Sequence, residues 1–202
     1  MAKEKYKYEK IYQGKGIYRR NRKIDKTGKI RKTYGRENCG KKHLQYIINE
    51  IQPTSIIDVG CGSNKFCAML KKTNIKSIGI DCACPLADVI SDADNLPFHD
   101  NQFDLLTAFD VLEHIPEEEI DIVFKEFKRV AHRFMYQIAL RKSPSSIDHE
   151  TLHPTVKPYD WWIDKITKDD PKIIKIMYKR KRYIVPPEDA KKLIIYGIFD
   201  KT

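Results

Sequence analysis

The stretch that most restricts the fold lies between residues 55 and 70. Ser55-Ile56-Ile57-Asp58-Val59 is a short apolar run, and Gly60-Cys61-Gly62-Ser63 breaks it before a second apolar segment at 66–70. A run of that length ending in glycines and followed by helix-like spacing predicts strand, tight turn, helix. The pattern then repeats. Ser77-Ile78-Gly79-Ile80 reads as a second strand ending at Asp81, and Ala87-Asp88-Val89-Ile90 as a third. Strands that alternate with helices are joined by crossovers, which lay them parallel with helices on the sheet faces.

The rest of the chain extends this pattern. Leu44, Ile47, Ile48 and Ile51 have helical spacing with Pro53 just beyond, which predicts a helix leading into the core. Residues 103–109 read as a buried fourth strand. After it, Glu117, Glu118 and Glu119 complement the positive end of a helix dipole, and Lys125, Lys128 and Arg129 the negative end. Ile120, Val123, Phe124, Phe127 and Val130 supply that helix's buried face, with Pro116 in its first turn. A fifth strand is expected at 134–140, and a loop at 143–158 is long enough to form a lid. Trp161, Trp162 and Ile166 suggest a further helix with the tryptophans in its core face. Two last strands, 173–184 and 193–199, flank Pro186-Pro187. The expected class is therefore α/β: a Rossmann-like, doubly wound, mostly parallel seven-stranded sheet.

Charge divides the chain unevenly. Residues 1–42 hold 16 Lys/Arg against 4 Asp/Glu, leaving 22 against 24 for residues 43–202, so the whole net charge of +10 sits near the N-terminus. The first 35 residues show neither a 3.6 nor a sustained 2.0 period and read as a flexible or partner-ordered arm. Tyr6, Tyr8, Tyr12, Tyr18 and Tyr34 among its basic residues suit a nucleic acid or another polyanion. Lys179-Arg180-Lys181-Arg182 forms a second basic cluster. No run approaches the ~20 apolar residues of a membrane span, and the start has no apolar export segment, so a cytoplasmic protein is expected. Five cysteines without paired C-x-x-C knuckles argue for reduced packing residues, and no metal site is read.

In an open parallel sheet, ligands bind beyond the carboxyl ends of the strands. Asp58-Val59-Gly60-Cys61-Gly62 stands after the first strand, and Asp81 stands after the second, placed to accept hydrogen bonds from a ribose diol. A dinucleotide site would need a glycine at position 65, where the chain has Lys65. S-adenosylmethionine has no pyrophosphate and does not need that glycine. Asp58 would then face the cationic amino group of its methionine part.

These segments, followed by Asp92-Ala93-Asp94-Asn95-Leu96-Pro97-Phe98, Asp100-Asn101-Gln102-Phe103-Asp104 and Val111-Leu112-Glu113-His114-Ile115, resemble the successive motifs of class I S-adenosylmethionine-dependent methyltransferases. The branch most similar is type 11, which includes quinone-biosynthesis methyltransferases, and the resemblance covers about residues 54–140. It implies a basic arm over 1–36 and a methyltransferase domain over 37–202. It also implies that Asp58, Gly60 and Gly62 cradle the methionine end, Asp81 holds the ribose, and Asp92 with the Ala93 backbone reads the adenine. Cys61, Cys82, Asp110 and Val111 complete the implied cofactor site. His153-Pro154-Thr155-Val156-Lys157-Pro158 resembles a motif of DNA amino-methyltransferases. Those enzymes also need a Pro-Pro-aromatic turn after the fourth strand, where this chain has Phe109-Asp110-Val111-Leu112.

A methyl transferase must chiefly align its acceptor with the sulfonium. A hydroxyl or carbon acceptor also needs a base, and His114, His149 and His153 are the candidates. For His114 the alternative role is capping or packing beneath the cofactor; for the other two it is loop polarity. A small metabolite or glycan-type hydroxyl is the first expectation for the acceptor and nucleic acid the second. A non-catalytic nucleic-acid-binding module that keeps the pocket is the reading from another class.

Overall fold

Successive residues of the central strands point large apolar side chains to opposite faces, so both faces of the sheet require cover. Ile57, Leu106, Phe134, Tyr136 and Ile195 face one buried cluster; Ile56, Leu105, Met135 and Ile194 face the other. The computed structural model describes residues 2–12, 39–143, 146–147, 150–169, 171–180 and 183–201.

In chain order the elements begin with α1 (Ala2–Tyr12) and α2 (Leu44–Tyr46), the latter extended by a 3-10 turn (Cys39–His43) and a π turn (Ile47–Ile51). They continue through β1 (Ser55–Val59), α3 (Lys65–Leu70), β2 (Lys76–Asp81), β3 (Val89–Ile90) and β4 (Phe103–Phe109). A 3-10 turn (Leu112–His114) precedes α4 (Ile120–Val130), β5 (Ala131–Ala139), β6 (Ser146–Ile147), β7 (Glu150–Thr151) and α5 (Tyr159–Thr167). The chain ends in β8 (Lys172–Arg180), β9 (Tyr183–Ile184) and β10 (Lys192–Ile198). The sheet order is β3-β2-β1-β4-β5-β10-β8-β9, while β6 and β7 form a separate hairpin in the lid segment. β1 to β5 are parallel, and β10 runs antiparallel between β5 and β8. The seven expected strands are present. The stretch expected as one strand at 173–184 divides into β8 and the two-residue β9 folded back on it.

Ile120, Val123, Phe127 and Val130 of α4 are buried at helical spacing against one sheet face, and Trp162 and Ile166 of α5 join them. Each large apolar side chain so buried contributes about 1.5–3 kcal/mol. On the other face Ile47, Ile51, Phe66 and Leu70 close the second cluster. Gln52 ends the first of these helical segments with φ 50° before Pro53, which cannot continue a helix.

Of the stretch expected to be a flexible or partner-ordered arm, the first turns are ordered over the lid. Residues 2–12 form α1, which lies on the lid segment: Ile11 is buried with Leu152, and buried Lys7 pairs with Glu150 at 3.0 Å. Its apolar face consists of little more than Tyr8 and Ile11, too narrow to stand out as a helical period. Residues 13–38 lie outside the described part. Among the described residues, no helix is long and apolar enough to cross a membrane.

Candidate active site

β1 and β2 end side by side, and their following loops build the first half of the site. Gly60 has φ +71°, and a Cβ there would lie 2.4 Å from Val111 Cγ2, so only glycine lets the β1 loop meet the β4 loop this closely. Gly62 has φ +54°, and the nearest atom to a Cβ there is Tyr12 Oη at 3.9 Å, leaving an open floor. Asp81 binds this floor together. Its Oδ1 accepts hydrogen bonds from the backbone N–H groups of Ala83 (3.0 Å) and Cys84 (2.9 Å), and its Oδ2 from the Gly62 N–H and the Tyr12 hydroxyl, both at 3.0 Å. Asp58 is buried one residue before the end of β1, where its Oδ1 accepts a hydrogen bond from Thr107 at 2.7 Å. Burial, only partly offset by that bond, pushes its carboxyl up to about 7.

The second half follows β4. Asp110 takes φ +58° as the strand turns away, and Gln137 Nε2 donates to its Oδ1 at 2.8 Å. Lys192 donates to both carboxylate oxygens, at 2.7 Å to Oδ2. Burial alone would raise the Asp110 carboxyl; the Lys192 ammonium and these hydrogen bonds outweigh it and hold the group below its usual value. Gln137 Oε1 in turn lies 3.2 Å from Nε2 of His43, whose ring stacks on Phe109. A polar chain thus runs beneath the site from the 3-10 turn before α2 to β10.

The turn after Asp110 carries Glu113 and His114, and the lid brings His153 to them. The His114 and His153 rings meet edge to face at 4.5 Å. Nδ1 of His153 lies 2.7 Å from the Arg141 carbonyl, which can only accept, so the neutral ring carries its free lone pair on Nε2. The Tyr8 hydroxyl reaches Nδ1 of His114. Burial lowers both imidazoles below their usual values; His153 adds to the effect on His114, while the Arg141 carbonyl partly offsets it on His153. Glu113 is completely buried, and its carboxylate oxygens are approached only by the backbone N–H groups of Glu113 itself and Ala139, short of good hydrogen-bond geometry. Tyr8 and Tyr12 stand one helical turn apart on α1, so one short helix touches both halves of the site.

Most residues singled out from the sequence converge at this edge. Asp58, Gly60, Cys61, Gly62, Asp81 and Cys82 line the β1 and β2 loops. Asp110 and Val111 follow β4, with His114 and His153 beyond them. Asp92 and Ala93 lie in the loop after β3, where Asp92 is partly exposed and Ala93 buried. His149 lies outside the described residues. The cysteines described, Cys61, Cys67, Cys82 and Cys84, are all free thiols, and burial raises each, Cys82 to about 12. Sequence reasoning gave Tyr8 and Tyr12 to a polyanion-binding arm and passed over Gln137, Lys192 and the acidic partner Glu113. Gln137 left one signal, a polar residue inside an otherwise apolar strand; Lys192 left none.

The fold agrees with that of known proteins this chain is similar to. Residues 57–133 match the type 11 family model described as a methyltransferase domain. Two proteins named probable tRNA methyltransferase 9B, from Bos taurus and Homo sapiens, are each 29% identical over 98 residues; the match takes in 43% of this chain and 21% of theirs. Among solved structures, a protein of Pyrococcus horikoshii OT3 superposes with a TM-score of 0.65 at 13% identity, over 91% of this chain and 97% of that one. The 1,6-didemethyltoxoflavin-N1-methyltransferase of Burkholderia thailandensis, solved with S-adenosylhomocysteine, gives 0.60 at 13% identity over 82% and 80% of the two chains. A TehB-like S-adenosylmethionine-dependent methyltransferase of Corynebacterium glutamicum gives 0.60 at 13% identity over 77% and 86%. The mostly parallel sheet with the antiparallel β10 inserted in it fits that kinship, and residues 57–133 carry a methyltransferase domain of the type 11 model.

Proposed function

We propose that this enzyme transfers the methyl group of S-adenosylmethionine to a hydroxyl oxygen held beside the His114–His153 pair. The residues present suit the cofactor: Gly62 leaves open space where a Cβ would stand, Asp58 offers a buried carboxylate to an ammonium group, and Asp81 ends β2. Tyr12 makes on Asp81 the hydrogen bond that a ribose hydroxyl would make, so the two exchange on that oxygen. When bound, the cofactor supplies an electrophilic methyl group on a sulfonium. In this reading Asp81 orients the ribose, and Asp92 and the Ala93 backbone receive the adenine. Cys61, Cys82 and Val111 wall the pocket. Asp110, held by Lys192 and Gln137, fixes the turn that carries the acceptor side.

Alignment is the larger part of such catalysis, and a hydroxyl must also lose its proton. The observation that carries the proposal is the free Nε2 lone pair of His153 beside His114, on a turn that the Gly60–Val111 contact fastens to the cofactor loop. The test is incubation with methyl-labelled cofactor and a cell extract, followed by chemical identification of the labelled product. Label on oxygen is expected, with His153→Ala slowing its appearance by about 10²–10⁴-fold. Label on nitrogen or carbon overturns the proposal.

A second reading places that hydroxyl on RNA. The similarity to tRNA methyltransferase 9B proteins and the 16 Lys/Arg within residues 1–42 favour it. If it holds, deleting residues 1–32 weakens RNA binding and flattens its salt dependence. Unchanged affinity and slope return the acceptor to the small-molecule class.

A further inference from the structure

We infer that Glu113, His114 and His153 form a binding site for a divalent first-row transition-metal ion, of the Mn2+ or Zn2+ class, on the acceptor side of the pocket. One ligand atom from each residue lies within 4.8 Å of those of the other two. Metal bonds of about 2.0–2.2 Å set ligand atoms roughly 3–3.5 Å apart in a tetrahedral site. Side-chain rotations that move each atom inward by about an ångström or less therefore close the three on one centre.

Glu113 is the independent sign that something belongs there. Its side chain is 0% exposed, yet its oxygens are approached only by the backbone N–H groups of Glu113 itself and Ala139, neither in good hydrogen-bond geometry, while both oxygens of the likewise buried Asp81 are fully bonded. The cation nearest in charge terms, Lys192, is held by Asp110. An ion would complete a carboxylate otherwise buried without a well-placed partner.

The His153 imidazole is prepared in the same sense. The Nδ1–H of His153 is held by the Arg141 carbonyl, the kind of bond that orients a metal-binding imidazole and leaves Nε2 as the ligand. His114 is held by the Tyr8 hydroxyl at Nδ1 and by the Leu152 carbonyl, so it joins the ion when α1 yields the Tyr8 bond. Two imidazoles and one carboxylate favour transition ions over Mg2+ or Ca2+, which prefer oxygen ligands throughout. Three protein ligands leave positions open. Resting on the hydroxyl reading above, an acceptor hydroxyl in an open position would be acidified by the ion, and the imidazoles would then act as ligands and not as bases.

The test uses the full chain, stripped with chelator and without an affinity tag, titrated calorimetrically with Mn2+, Zn2+ and Mg2+ alone. One Mn2+ or Zn2+ per chain is expected, at least tenfold tighter than Mg2+. Glu113→Gln and His153→Gln should each weaken it by tenfold or more, in proteins that still bind S-adenosylmethionine as the native chain does. Absence of binding at millimolar ion overturns the inference, as does binding that both variants leave unchanged. Should either variant fail to fold, His114→Gln and Mn2+ electron paramagnetic resonance of the native protein decide the matter: nitrogen couplings are expected, and a bound ion without them overturns the site. Failure of the hydroxyl reading looks different: the ion binds, and the transferred label is found on nitrogen or carbon.

Discussion

Two buried carboxylates stand at the same sheet edge under opposite conditions. Asp81 accepts four hydrogen bonds, three of them from backbone N–H groups, and stitches the loops after β1 and β2 into one floor. Glu113 has only the poorly placed backbone N–H groups of Glu113 itself and Ala139 near it. The cofactor half is finished by its own backbone before any ligand arrives, whereas the acceptor half keeps a polar group whose partner the chain does not supply. Their surroundings also differ in origin. The first half is made of residues close in sequence, the second of residues drawn from β4, the lid, β10 and α1.

The largest effect should come from attacking the finished half. Asp81→Ala is expected to weaken S-adenosylmethionine binding about 100-fold in calorimetry, since hydrogen bonds to a charged group contribute about 1.5–3 kcal/mol each. Glu113→Gln should leave that affinity within about twofold; equal losses in both variants would erase the distinction between the halves. Next comes Gly60→Ala, whose Cβ would collide with Val111 at 2.4 Å in a left-handed backbone. A loss of about 2–3 kcal/mol in denaturant unfolding is expected, with partial recovery in the double variant carrying Val111→Ala.

The pH dependence of cofactor binding isolates Asp58. Burial raises its carboxyl from 3.8 to about 7, so the free protein holds that proton well into the neutral range. An ammonium group favours the carboxylate, so binding expels the proton. Affinity should be level above about pH 8 and fall by up to tenfold per unit below about pH 7, and Asp58→Asn should flatten the curve. For folding the sign is reversed: the folded state binds the proton more tightly than the unfolded chain, so this group's contribution is complete below about pH 4 and is lost as pH rises through 7. The smallest effect concerns the roof. Tyr12→Phe removes the competitor for Asp81 Oδ2 and should tighten cofactor binding by about 2–5-fold, one ordinary hydrogen bond. Weaker binding would mean that α1 holds the cofactor and does not compete with it.

The cofactor half was legible because its chemistry is local. Gly60 and Gly62 announce a turn where side chains cannot go, and Asp81 closes a strand whose neighbour is the preceding one, so linear spacing carries over into space. The acceptor half was not legible for a topological reason. β10 runs antiparallel between β5 and β8, so its first residue, Lys192, pairs in register with Ala139 at the carboxyl end of β5. That reversal alone carries Lys192 to Asp110, 82 residues away in sequence. Gln137 reaches the same carboxylate because it lies beside Phe109 in the β4–β5 register. α1, read as part of a flexible or partner-ordered arm, is held by contacts with Leu152, Glu150, His114 and Asp81 that no local pattern displays.

What the amino-acid order determined by itself was the alternation of strand and helix, the glycine turn after β1 and the acidic residue after β2, hence the class of cofactor. Those depend on backbone conformation and near-neighbour spacing, which residue types specify directly. Tertiary structure alone decided which carboxylate is satisfied and which is left orphaned, which histidine lone pair is free, and that Tyr8 and Tyr12 roof the site. Such properties depend on long-range pairing through an inserted antiparallel strand and a returning lid, and burial makes each missing or added hydrogen bond costly enough to matter.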